Sequence, residues 1–576
     1  MNRRPQQTGY DELRAARRAN RALYWAVGLF SAVSNMLMLT GPIYMLQVYD
    51  RVLGSGSMAT LTALSLIAAF LFLGMGLLDL VRARVLSRAA ARFQSRLDAR
   101  VFDTAIRRSA SAQGREGHNG IRDLDAVHKL MASPALVAAY DLPWTPVFLA
   151  GIAIFHPWLA LLALSGGGVL ILVAILNQMI TRAGQSAAAQ ATVQCEALAH
   201  HIRAEGEAIT ALGMQSAASA RWLSLRNAAL VALTETAELT AGFTYATRTF
   251  RLFLQSAMLG LGAYLVLQDA LSAGAMIAGS ILMGRALVPV EMVIAHWPTV
   301  QAAMRGWHAL ADALRDVPSV SHRTLLPVPE ARLDVTQITV IPPGEATAAL
   351  RMVSLSLPPG QAIGVIGPTG AGKSSLARAL TGVWQPAGGA IRLGGAALDH
   401  YDVERLGRYI GYLPQRVQLF AGSVADNIAR LDASPDPAAI VRAAMRADAH
   451  EMILRLPGGY DTRIDAGGSR LSGGQIQRIA LARAMYGDPL ILVLDEPNSN
   501  LDNEGTLALN AAIRAMKADG KSALIMAHRP AAIRECDLIL KLDNGAVTAF
   551  GPREEVLDHV LRNASQVRVA GQGGLQ

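Results

Sequence analysis

Two stretches in the second half of this 576-residue sequence hold side chains that can do chemistry. The first is Gly367, Pro368, Thr369, Gly370, Ala371, Gly372, Lys373 and Ser374, running on into Ser375. It follows the apolar run Gln361–Ile366 and enters the helical run Ser375–Leu380, so it is G-x-x-x-x-G-K-[ST] in strand–loop–helix context. Glycines let backbone amides close around phosphates, Lys373 reaches the β and γ oxygens, and the Ser374 hydroxyl suits Mg2+. The second stretch is Leu471–Asp502, LSGGQIQRIALARAMYGDPLILVLDEPNSNLD. Its turn Ser472, Gly473, Gly474, Gln475 opens a helical run with apolar Ile476, Ile479, Ala480, Leu481 and Ala484. Free amides at such a start form an anion site. The apolar run Leu490–Leu494 reads as a buried parallel strand. It ends in Asp495 and Glu496, placed as a hard cation and an attacking water require.

The elements that carry these groups are those of an α/β P-loop domain, residues 333–576, in which short apolar runs alternate with helices. Pro318, Pro327 and Pro329 mark a linker over 317–332, and Pro342 and Pro343 lie just inside the domain. Residues 22–316 are different. The chain is 52% hydrophobic and only 17% charged, against about 25% charged for an average soluble domain. Six spans are expected: Ala22–Tyr49, Val52–Leu78, about Ala135–Phe155, Trp158–Ile180, Leu252–Gln268 and about Leu271–Ile294. The tie between the first two is placed at Asp50–Arg51. A helical segment, Thr181–Tyr245, joins the fourth to the fifth. The expected fold is therefore an all-α six-span membrane domain followed by the P-loop domain.

Arginines concentrate in the basic arm 1–21 and after spans two and six, which puts both ends in the cytosol. The net charge of +9 follows from that topology, so no nucleic-acid partner is expected. Cys195 and Cys536 are far apart and no disulfide is expected. No Cys/His metal cluster is visible. Three features of the membrane half admit two readings each. Arg84, Arg88, Arg92, Arg96 and Arg100 form a stripe, either a solvated face or a cationic lining. Arg285 and Glu291 lie in span six, lining a path or orienting the helix by an ion pair. Leu212–Trp222 is a short helix or plain helical surface. Gly166–Gly168, Gly260 and Gly262 suit close helix packing or merely fill space.

The Leu471–Asp502 stretch closely resembles the signature and Walker B region of ABC ATPases. That resemblance implies further site residues. Gln415, in Tyr412–Gln415, would be the glutamine that touches the metal and senses the membrane domain. Asp502 would belong to the D-loop, and His528, after the strand Ala523–Ala527, would contact the γ-phosphate. Glu496 would be the general base, and Asp495 would hold Mg2+ directly or at one remove. Two such domains would sandwich ATP between one P-loop and the opposite Ser472–Gln475 turn. One ATPase domain and six spans make a half-transporter, closed by a second copy as a homodimer. ATP binding would close the dimer and hydrolysis reopen it, giving alternating access.

Ser31–Ser57, Ile281–Glu291 and the ending DEPNSNLD of Asp495–Asp502 are similar to bacterial type I secretion ATPases. The resemblance is to the branch exporting proteases, lipases and RTX-type proteins. It implies an inner-membrane protein among membrane lipid, with a periplasmic membrane fusion (adaptor) protein, an outer-membrane tunnel protein and secreted protein cargo bearing an uncleaved C-terminal signal. The alternative is a lipid or drug exporter of the same fold. Span one begins near residue 22, so a leader peptidase activity is not expected. ABC ATPases usually stack adenine on an aromatic residue, yet Arg323–Val383 holds no Phe, Tyr, Trp or His. The family's spacing lands on Pro342. The expectation is weak discrimination between bases, unless Tyr10 or Trp307 covers the base.

Overall fold

The computed structural model describes residues 9–111, 120–317, 326–465, 471–501 and 503–558. They form two compact units. In the first, six helical stretches are long and apolar enough to cross a membrane: Arg21–Ser55, Met58–Ala110, Pro134–Phe155, Pro157–Ala204, Gln215–Leu267 and Ala273–Ala295. The first is not one clean helix. It runs through Arg21–Leu37 and Thr40–Gln47, then a π-helical turn at Val48–Val52, to Ser55. It stops at Gly56, whose φ of +65° favours glycine. The expected tie at Asp50–Arg51 is therefore helical, and the turn lies at Gly56–Ser57. Asp50 instead accepts from the Ser272 hydroxyl (2.7 Å) and the Gly274 amide (2.9 Å), capping the sixth span.

The third span bends through a 3-10 turn, Leu142–Trp144, because Pro143 and Pro146 lack the amides a regular helix needs. The second, fourth and fifth spans have no such interruption. They belong to helices of 54, 48 and 53 residues, each roughly 70–80 Å long at 1.5 Å per residue. Leu212–Trp222 begins as a turn with Gly213 at φ +67° and continues as the start of the fifth-span helix. Three of the five glycines are packing glycines, and a Cβ on Gly167 would lie 3.3 Å from Leu287. A Cβ at Gly166 would lie 2.3 Å from Leu254 and one at Gly262 2.5 Å from Met276, whereas Gly168 and Gly260 face open space.

The second unit has strands β1 Leu333–Val340, β2 Leu350–Leu357, β3 Ala362–Ile366, β4 Gly388–Leu393, β5 Ala396–Ala397, β6 Ile410–Leu413, β7 Gly422–Ser423, β8 Arg463–Ile464, β9 Ile491–Asp495, β10 Ser522–Met526, β11 Leu538–Asp543 and β12 Ala546–Pro552. One sheet has the order β12-β11-β3-β10-β9-β6. It is parallel except for β12. A second, antiparallel sheet, β2-β1-β4-β5, was not separable in the sequence. β9 and β10 are buried throughout, which is why they read as unbroken apolar runs. β9 sends Leu492 and Leu494 to one core with Ile479 and Leu481, and Ile491 and Val493 to the other with Leu376 and Leu380. Both faces of the parallel sheet are thus covered, and its carboxyl edge carries the loops of interest.

Candidate nucleotide-binding and catalytic site

Four neighbouring parallel strands end on this edge, each followed by an expected site group. Met526 at the end of β10 is level with Val365 of β3 and Asp495 of β9. Leu413 of β6 is level with Leu494. The loop after β3 is the phosphate-binding loop, that after β10 carries His528, and Gln415 follows β6, exposed.

The loop needs its glycines. Gly370 and Gly372 have φ of +83° and +101°, and a Cβ on Gly367 would stand 2.3 Å from the Leu542 carbonyl. Pro368, Thr369 and Gly370 form an exposed crest over Ala371, which is buried. Lys373 opens the helix Lys373–Leu380 and is only 6% exposed. Its ammonium donates to the carbonyls of Gly367 (2.8 Å) and Pro368 (2.9 Å), which holds it inside the loop. Burial lowers its pKa, and the charges of Glu496 and Asp495 pull it back up. Ser374 and Ser375 are half-buried in the same first turn.

Asp495 is 2% exposed. The Ser374 hydroxyl faces its carboxylate and favours its charged form, yet Oδ1 is buried without a partner among the described residues. Burial raises its pKa against the Ser374 hydroxyl; the Glu496 charge also raises it, and Arg378 and Lys373 oppose. A buried, unpaired carboxylate oxygen beside a serine hydroxyl is an oxygen donor set that fits Mg2+. Glu496 is bent out of the strand with φ +52°, while its amide still donates to the Met526 carbonyl at 3.0 Å. That turn aims its carboxylate at His528, with Nε2 and Oε1 3.0 Å apart. A left-handed glutamate is strained, and such strain persists where the surrounding structure enforces it.

Ser472 caps the helix Gly473–Met485. Its hydroxyl accepts from the Gln475 amide at 3.3 Å, and the Gln475 side chain accepts from the Ser472 amide at 2.9 Å. The capping box uses two of the amides expected to bind an anion, leaving those of Gly473 and Gly474 with the Ser472 hydroxyl. The turn rests on Asn500, whose carbonyl would be 3.2 Å from a Cβ on Gly474. No bond joins the turn to the phosphate loop among the described residues. Asp502 lies outside them.

Comparison with known proteins matches residues 350–499 to the ABC transporter family and residues 24–288 to the ABC transporter transmembrane region. The type I secretion system ATP-binding protein PrsD of Rhizobium meliloti strain 1021 is 41% identical over 571 residues, 98% of each chain. The chain belongs to the ABC transporters, among the type I secretion ATP-binding proteins. The cyclolysin secretion/processing ATP-binding protein CyaB of Bordetella pertussis (strain Tohama I) is 28% identical over 93% of this chain and 76% of its own. A solved bacterial Atm1-family ABC exporter with ATP bound superposes with a TM-score of 0.81, covering 96% of this chain and 99% of that one; at 22% identity the likeness carries the fold. This ABC transporter binds nucleotide and couples ATP hydrolysis to transport. It is a multi-pass inner-membrane protein with its ATPase domain in the cytoplasm.

Several groups in this ABC transporter escaped the sequence. Buried Gln477 donates to the Pro497 carbonyl at 3.0 Å, tying the signature helix to the loop after Glu496. Arg430 is held at φ +58° and donates to the carbonyls of Arg483 and Ala484 (both 2.9 Å), capping the other end of that helix. Arg378, stacked on Trp384, lies near Tyr412, whose phenol burial pushes up to about 12. No spacing rule marks these three. Pro342 is buried and cannot lie against a base; its neighbour Ile341 is 40% exposed. Tyr10 and Trp307 are engaged elsewhere, Tyr10 with His308 (2.8 Å) and Trp307 stacked on Phe93.

The membrane unit corrects one expectation and bears on another. Arg100 leaves the stripe, pairing with Glu12 (3.2 Å) and donating to Thr104 (2.7 Å) and the carbonyls of Leu314 and Val317. Arg84, Arg88, Arg92 and Arg96 are exposed. Glu291 makes an ion pair with Arg251 of the fifth-span helix at 2.8 Å, as the helix-orienting reading has it, and Arg285 lines a cavity of about 340 Å³ with Asn35 and Asp141. Asp141 is the hub of a buried network: Ser31, Asn35 (2.7 Å) and Arg82 (2.7 Å) all donate to its Oδ1.

Proposed function

We propose that this chain, as a homodimer, drives export of an unfolded polypeptide with a C-terminal signal across the inner membrane. It does so within a type I secretion system, with a periplasmic adaptor and an outer-membrane tunnel protein. The observation that carries this reading is the likeness to a type I secretion ATP-binding protein along 98% of both chains.

In the catalytic step, the loop Gly367–Ser375 cradles the phosphates and Lys373 leaves its loop carbonyls for the β and γ oxygens. Ser374, Asp495 and Gln415 would hold Mg2+, which would neutralise phosphate charge. Glu496 takes the proton of the attacking water. His528, already against that carboxylate, orients it and reaches the γ-phosphate. Ser472, Gly473, Gly474 and Gln475 of the second copy close over the nucleotide, and Asp502 takes the D-loop role. The strained Glu496 backbone keeps the base aimed before substrate arrives.

Deleting the chain and comparing culture medium by mass spectrometry tests the reading. One or a few secreted proteins should vanish and return on complementation with the wild type but not with Glu496→Gln. An unchanged medium together with altered membrane lipid would overturn it in favour of lipid export.

A further inference from the structure

The fourth, fifth and sixth spans enclose a second cavity of about 540 Å³. Its charged residues and its two unpartnered polar groups lie in the inner half of the spans. Counted from the outer helix ends Pro157, Leu267 and Ala273, the residues Asn177, Arg248, Arg251, Glu291 and Trp297 stand roughly 24–36 Å inward at 1.5 Å per residue. A hydrocarbon core is about 30 Å thick, so this is the level of the inner-leaflet headgroups. Ile171 and Ile175 lie at roughly 21–27 Å, where acyl chains begin. Along the fourth span the lining thus passes from apolar Ile171 and Ile175 to polar Asn177 and Gln178 toward the cytosol.

Its polar end is incompletely satisfied. The Trp297 indole N–H and the Asn177 carbonyl oxygen are both buried without a partner. One is a donor only and the other an acceptor. Arg251 is neutralised by Glu291 at 2.8 Å. Arg248 has no ion-pair partner among the described residues, which leaves the cavity one net positive charge. The nearby hydroxyls of Thr240, Thr244 and Thr247 donate to carbonyls of their own helix. A complementary ligand carries one negative charge with acceptor oxygens, a hydroxyl to donate to Asn177, and an apolar tail.

We propose that this cavity binds an anionic phospholipid with a polyol headgroup, of the phosphatidylglycerol kind. Arg248 and the Trp297 N–H take the phosphate, a headgroup hydroxyl donates to Asn177 Oδ1, and the acyl chains run along Ile171 and Ile175. The assignment is independent of which cargo the transporter exports.

The full chain in nanodiscs of phosphatidylcholine and phosphatidylglycerol in equal parts provides the test. One lipid at a time carries bromine, and tryptophan quenching is read. Brominated phosphatidylglycerol should quench the Trp297 contribution, defined by loss in Trp297→Phe, with about fivefold preference over brominated phosphatidylcholine, as one arginine near a charged lipid supplies. Arg248→Gln should abolish the preference and Arg248→Lys keep it. Asn177→Leu should erase the preference for phosphatidylglycerol over phosphatidic acid, which has no headgroup hydroxyl, but not that over phosphatidylcholine. Equal quenching by the two lipids in the wild type overturns the proposal even if every variant misfolds. So does a folded Arg248→Gln that keeps the preference. Displacement of the brominated lipid by soluble glycerophosphate would assign the site to a free phosphate ester instead.

Discussion

Asp495→Asn should make the nucleotide-free protein more stable and the enzyme inactive. The wild-type carboxylate is 2% exposed and one oxygen has no partner. An unsatisfied buried group costs about 1–3 kcal/mol, more when charged. A neutral amide of the same shape keeps an oxygen for the Ser374 hydroxyl and removes the buried charge, at the loss of some attraction to Lys373 and Arg378. The expected gain is about 1–3 kcal/mol, or roughly 2–4 °C of unfolding midpoint per kcal/mol in a domain of this size. The pH dependence has a definite sign. The folded pKa of Asp495 is raised, so its contribution is fully present below the unfolded carboxylate value and is lost as pH rises through the folded value. The stability difference between variant and wild type should therefore grow as pH rises across that window. MgATP should reverse the order, since only the wild type binds the metal through a carboxylate. Thermal unfolding of the purified chain, with and without MgATP across that pH range, measures all of this. A variant less stable than wild type without nucleotide would show that Asp495 is a structural partner and refute the reasoning.

Glu496→Gln should keep ATP binding and lower turnover by about 10²–10⁴-fold, the usual worth of a general base; nucleotide binding and phosphate release on the same sample separate the two. Arg88, Arg92 and Arg96 replaced together by Gln should reduce secretion more than basal ATPase, whereas Arg100→Gln should reduce protein level, because Arg100 ties Glu12, Thr104 and Leu314 together; secretion assays and immunoblots tell them apart. With no aromatic in Arg323–Val383 to cover the base, the KM values for ATP and GTP should agree within about tenfold, and Ile341→Tyr should favour ATP by about two- to tenfold, the worth of one aromatic stack. A wild-type preference far beyond a hundredfold would point to another residue covering the base.

What the sequence disclosed follows from how tightly chemistry constrains spacing. Phosphate binding demands glycines at particular loop positions, so Gly367–Ser374 is legible from residue types alone. The carboxylates Asp495 and Glu496 are legible because a fully buried strand precedes them. Their partners are less so. The contact between Glu496 and His528 depends on the register of β9 with β10 and on a positive φ, neither of which leaves a mark in composition. The tie between the first two spans is displaced for a related reason. Hydropathy reports where lipid ends, but a helix continues wherever its backbone bonds can, so Asp50 was taken for a loop residue when it is helical and caps another span. Pro342 was placed by counting, and counting is blind to which way a ring faces.

The helix Met58–Ser111 runs for 54 residues without a break, and that continuity makes it sensitive to length in a way a loop is not. One inserted residue anywhere between Leu77 and Arg84 would rotate everything after it by about 100°, carrying Arg84, Arg88, Arg92 and Arg96 to another side. Seven inserted residues would restore the direction to within about 20° while lengthening the rod by about 10 Å. Insertions and deletions there should be tolerated, if at all, only in whole turns. A chimera that exchanges the lipid-embedded part for that of a relative will work only when the splice preserves phase, however well the two sequences align.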